Sequence, residues 1–202
     1  MKSFFNNLKW KQAAEQKLSQ ELKEKLNRLE LVEKLYQGCG SASDLETFFS
    51  SISNNLKEFV KFDFLALFNW KPIPEVFELE VLVPNTQSNL FKKGFEIPAK
   101  KVPFFESFKS KKVFLELDLQ LKNWDSNLSA LSKADFNELT SKLGIHSYLT
   151  VPLLNKGELQ ALLFLGNQRA FGFGEKVVQV METVSHHLSV LNQNAHKLAE
   201  QK

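Results

Sequence analysis

A chain of 202 residues that is 43% apolar and holds 19 phenylalanines can bury a sizeable core without disulfides or metal. One cysteine, Cys39, excludes an intramolecular disulfide and a thiolate metal cluster, and it points to a reducing compartment. The net charge of +3 lies within residues 1–37, and only two of the 26 basic residues are arginine, Arg28 and Arg169, which argues against a nucleic-acid reader.

Residues 1–37 contain neither proline nor glycine and are predicted as one long helix. Leu18, Leu22, Leu29, Val32 and Tyr36 fall at heptad-like spacing, with Lys11, Glu15 and Lys25 interrupting the seam. The opening "MKSFFNNLKW" lacks the apolar core of a signal peptide. Its Phe4, Phe5, Leu8 and Trp10, set among lysines, raise membrane-surface attachment as a minor reading. "GCGSASD" then stops the helix, and Ser43 or Asp44 can cap the next one. Residues 45–62 place Leu45, Phe48, Phe49, Ile52, Leu56 and Phe59 on one face of an amphipathic helix.

"FDFLALFNW" (62–70) is apolar on both alternating faces, as expected of a strand covered on both sides. "KPIPE" is a turn, and residues 76–83 form a second strand. A short strand at 95–97, a short helix near 104–110, a strand over 112–118 and a helix near 133–143 follow. Residues 144–167 read as a hairpin turning at "NKG". The last helix, opened by "FGFGEK", carries Val177, Val180, Val184, His187, Leu191 and Leu198 at three-to-four spacing. The longest apolar runs, such as "FLALF" and "ALLFL", are five residues, far short of a bilayer span. A cytoplasmic protein is expected.

Three stretches carry a family resemblance. Phe62 and Asp63 open the first core strand; Gly144, Ile145 and Ser147 run into Val151, Pro152 and Leu153; Gly157 sits in a hairpin turn and Phe171 leads the last helix. In these the chain resembles a GAF domain over roughly residues 41–195. The resemblance implies an α+β fold: a GAF/PAS-like six-stranded antiparallel sheet, terminal helices on one face and a ligand-pocket segment on the other. It divides the chain into a helical, coiled-coil-like segment, 1–40, and a GAF domain, 41–202. Family members commonly dimerise through the terminal helices, and the fold alone does not fix a ligand.

Side-chain alternation sharpens the site. His146, Tyr148, Thr150 and Pro152 share one face of their strand, while Ser147, Leu149, Val151 and Leu153 share the other, suited to the terminal helices. Buried imidazole and hydroxyl groups need partners. His146, Tyr148 and Thr150 are therefore ligand-pocket candidates, the alternative being bonds to local backbone. Ala66, Phe68 and Trp70 share a parity on the first strand, and Ala66 leaves room for a ligand or for a neighbouring side chain. His146 stands without the ligand set a metal needs, so no metal or cofactor is expected.

"NQRAFGFGEK" resembles the Asn-Lys…Phe-x-x-x-Asp-Glu signature of cyclic-nucleotide-binding members at Asn167, Phe171 and Glu175. It departs from that signature at Gln168 and Lys176. "VSHHL" (184–188) superficially matches a histidine-kinase phospho-acceptor box, but His186 and His187 are better read as helix-face residues. Bilin-carrying and methionine-sulfoxide-reducing members need cysteines that this chain lacks, and no catalytic constellation replaces them, so an enzyme is not expected.

The leading expectation is a regulatory module that binds a small molecule and signals through its terminal helices to a partner protein. It would act as a homodimer held through Leu22, Leu29, Leu191 and Leu198. The alternative is a ligand-free dimerisation or interaction scaffold whose pocket is filled by Phe91, Phe95, Phe104, Phe105 and Phe108.

Overall fold

The computed structural model describes residues 2–37, 44–84, 92–120, 136 and 139–200, with side chains from residue 12 to residue 197 within those stretches. Phe4, Phe5, Leu8, Trp10 and Leu198 fall outside the described side chains, and Cys39 and Phe91 outside the described residues.

Helix α1 spans Lys2–Gln37. Helix α2, Leu45–Lys57, starts where the Asp44 carboxylate accepts the Thr47 backbone N–H at 2.8 Å, and it buries Phe48, Phe49, Ile52 and Leu56. That cap satisfies one of the N–H groups a helix start leaves unpaired. Six strands follow: β1 Phe64–Lys71, β2 Val76–Val83, β3 Glu96–Pro98, β4 Phe114–Glu116, β5 Ser147–Asn155 and β6 Glu158–Asn167. Helix α3, Phe105–Lys109, lies between β3 and β4, and helix α4 runs over Glu175–Glu200.

The sheet order is β3-β2-β1-β6-β5-β4, every pair antiparallel. The β5–β6 hairpin closes on two residues with left-handed backbone, Lys156 (φ 49°) and Gly157 (φ 82°), the geometry that matches strand twist. A bulge at Glu80 shifts the β1–β2 register between Leu67 and Phe68. This is why Leu79 and Leu82 face the same side although they are three residues apart. Pro152 lies beyond the end of the β4 pairing, where its missing N–H costs no β4 bond.

Each face of the sheet carries its own core. On one, Leu65, Leu67, Leu149, Val151, Leu153, Leu163 and Leu165 pack against α1, α2 and α4. On the other, Ala66, Phe68, Phe77, Tyr148 and Phe164 pack under α3 and the segments around it. The parity read from β1 and β5 is the one observed.

The terminal helices differ from expectation in two places. Leu31 and Leu35 are fully buried, so the second half of α1 docks on its own sheet-and-helix core. Leu191, expected on a dimer stripe, is 2% exposed and belongs to that same core. A stripe at three-to-four spacing reads alike whether it packs on the chain's own sheet or on a second copy. Leu18, Leu22, Leu26 and Leu29 remain more than half exposed on α1.

Candidate functional site

The face opposite the long helices is built around Tyr148. β5 supplies Tyr148, β6 Phe164, the stretch before α3 Phe104, and β4 Phe114, with Phe136 completing the ring set. The Tyr148 ring stacks on Phe164 at 5.4 Å between centroids and on Phe114 at 5.9 Å. Phe136, at 5.3 Å, and Phe104, at 6.0 Å, meet it edge-on. Offset and edge-to-face pairs of this kind are the favoured geometry for aromatic rings.

The Tyr148 hydroxyl is buried and has no hydrogen-bond partner among the described residues. Burial, and after it the charge of Glu116, push its phenol well above the ordinary value. Glu116 sits opposite Tyr148 in the β4–β5 register and is itself buried. The alternation of "KVFLELD" puts Glu116 on the same side as Phe114, a signal the sequence reading passed over.

The other candidates divide. Thr150 is buried on the same face, between Phe114 of β4 and Phe164 of β6. Ala66 pairs with Leu82 on one side and Phe164 on the other, so its small side chain sits between large neighbours. Phe68 is buried in the same core. His146 does not join the cluster. It lies one residue before β5, half-buried, with its backbone N–H bonded to the Asn167 carbonyl and its carbonyl accepting the Leu119 N–H. Among the described residues no group of His, Cys, Asp or Glu could hold a metal ion.

Asp63 and Ser147, which carried the family resemblance, form a polar knot with Asn167 at the start of β1, the start of β5 and the end of β6. Asp63 accepts the Gln168 N–H at 2.7 Å. Ser147 donates to the Arg169 carbonyl at 2.7 Å and accepts from the Gly172 N–H. Asn167 accepts the Arg169 N–H at 2.8 Å and donates to the Lys61 carbonyl. Together they fix the loop that leads into α4. The phenylalanine that anchors this loop in the core is Phe173, 2% exposed, whereas Phe171 is 62% exposed at φ 55°. Phe171, read as leading the last helix, instead sits on left-handed backbone whose N–H bonds the Leu117 carbonyl.

With this geometry in place, the GAF domain family model matches residues 44–191, most of the chain. The chain belongs to the GAF family. The fold agrees with solved GAF domains. That of a phosphoenolpyruvate-protein phosphotransferase from Coxiella burnetii is 17% identical, with a TM-score of 0.64 over 87% of this chain and 98% of its own. That of a two-component sensor histidine kinase from Bacillus halodurans is 18% identical, with a TM-score of 0.60 over 78% and 99%. The free methionine-R-sulfoxide reductase of Neisseria meningitidis, solved with its substrate, is 12% identical, with a TM-score of 0.60 over 84% and 90%. No curated protein matches. At these identities the likeness shows the shared fold. No described helix of this GAF domain is long and apolar enough to cross a membrane.

Proposed function

We propose that this GAF domain is a sensory or regulatory module that binds a small molecule at the Tyr148 face and relays its occupancy through α1 and α4. The observation that carries the reading is the Tyr148 hydroxyl, buried among four phenylalanine rings with no hydrogen-bond partner among the described residues. Leaving a buried hydroxyl unmet costs about 1–3 kcal/mol, a cost that a ligand's polar atom would recover. An apolar wall with few polar groups is the usual make-up of a small-molecule site. The sensor kinase among the similar structures is consistent with a signalling role. A non-enzymatic module suits a chain with one cysteine.

Thermal-shift screening with nucleotides, amino acids and 2-oxo acids tests the reading. A ligand at a hundred times its Kd stabilises a fold by about 2.7 kcal/mol, and Tyr148→Phe should blunt that shift. Flat melting curves across all three classes would instead favour the scaffold. That second reading has its own support, since Phe104, Phe105, Phe108 and Phe136 are buried against this face and occupy it with the chain's own rings.

Relay to a partner protein fits a homodimer paired along Leu22 and Leu29, whose exposure leaves an apolar stripe on α1. Light scattering across a concentration series reads this directly. Paired Leu22→Asp and Leu29→Asp substitutions should return the mass to the monomer's 23.2 kDa with the sheet still folded.

A further inference from the structure

On the opposite side of the sheet from Tyr148, a cavity of about 250 Å³ opens between α1 and the first turns of α4. Its floor is apolar: Leu31, fully buried, with the partly buried Phe59 and Val180. Glu24 of α1 and Lys176 of α4 meet across it at 3.6 Å. Arg28 completes the wall. It is half-buried, and its guanidinium makes no ion pair or hydrogen bond with any described residue. The pairing of Glu24 with Lys176 leaves one uncompensated positive charge, held above a hydrophobic floor.

We propose that this groove is a binding site for a small organic carboxylate, with Arg28 taking the carboxylate and Leu31, Phe59 and Val180 taking its apolar body. A guanidinium presents a planar fork of donors that fits a carboxylate with two parallel bonds. The chain uses lysine almost everywhere else, and one of its two arginines stands here. The volume of about 250 Å³ lies just below the range of drug-sized pockets, which suits a compact metabolite. Because its walls come from both α1 and α4, an occupant would bind the docked pair of helices better than a separated one. It would therefore bias their arrangement through differential affinity. The site stands apart from Tyr148 and does not depend on that face binding anything.

The test is an NMR titration of the full chain with sodium benzoate, set against benzamide and against sodium chloride at matched ionic strength. Benzoate should give saturable amide shifts at residues 24–31, 59 and 176–180, while benzamide and chloride do not. Arg28→Gln should weaken benzoate by about tenfold or more, since a charge-assisted bond is lost, and Arg28→Lys should weaken it less. Benzoate shifts no larger than those of benzamide or chloride, or shifts that survive Arg28→Gln unchanged, overturn the proposal. The comparison of benzoate with benzamide on the wild-type chain decides it even if a variant fails to fold. Shifts confined to the strands around Tyr148 also overturn it, while leaving the reading of that face intact.

Discussion

The two faces of the sheet differ in chemistry more than in burial. The helix face is dominated by leucine and valine, with Leu65, Leu67, Leu149, Val151, Leu163 and Leu165 at zero exposure. The other face draws close to half of its buried residues from aromatic types, and it also encloses Glu116 and Thr150. Aliphatic packing dominates under the three helices, although Ser53 Oγ of α2 and Asn192 Oδ1 of α4 are buried there without a hydrogen-bond partner among the described residues. The aromatic face holds the Tyr148 hydroxyl, which likewise has no hydrogen-bond partner among the described residues. What sets the second face apart is the surroundings of its unmet group: a cage of four phenylalanine rings rather than helix side chains.

Breaking the helix face should have the largest effect. Leu163 is fully buried between Leu67 and Val151. Leu163→Ala should cost about 3 kcal/mol in urea unfolding, the sum of lost transfer energy and a cavity that the rigid sheet cannot close. Next comes the room beside Ala66. Flanked by Leu82 and Phe164 in register, it should accept no larger side chain, so Ala66→Leu should cost about 2 kcal/mol. A neutral result would show that the aromatic face has space to spare.

The alkaline limb sharpens the comparison further. The Tyr148 phenol is raised above 10.0, first by burial and then by Glu116. Above that pH the unfolded chain gives up the proton while the folded chain keeps it. The stability present below pH 10 therefore falls as pH climbs toward the folded value. Tyr148 should contribute about 1.4 kcal/mol per pH unit over that window. Stability measured against pH for Tyr148→Phe should lack that part of the slope.

What the sequence made legible follows the two periodicities. Alternation over 146–154 separated Tyr148 and Thr150 from Leu149 and Val151 because every residue of a strand changes face. The bulge at Glu80 broke that rule in β2, where the apolar letters of "VFELEVLV" do not announce an extra residue. On the helices, periodicity gave the buried stripe but not its partner, which is why Leu191 read as dimer surface. Leu26, 62% exposed, escaped notice because a strict heptad places Lys25 in the seam instead. His146 shared the parity of Tyr148 yet lies at the strand's end, half-buried, because parity assigns a face and not a depth. The knot of Asp63, Ser147 and Asn167 depends on long-range hydrogen bonds that no local pattern encodes.

The reading of the aromatic face rests on a single oxygen, and equilibrium urea unfolding of Tyr148→Phe at neutral pH tests it without any ligand in hand. Removing an unmet buried hydroxyl should raise stability, by about 1 kcal/mol, with the slope against urea unchanged. A loss of about 1 kcal/mol would show that the hydroxyl is already bonded within the fold and offers a ligand nothing.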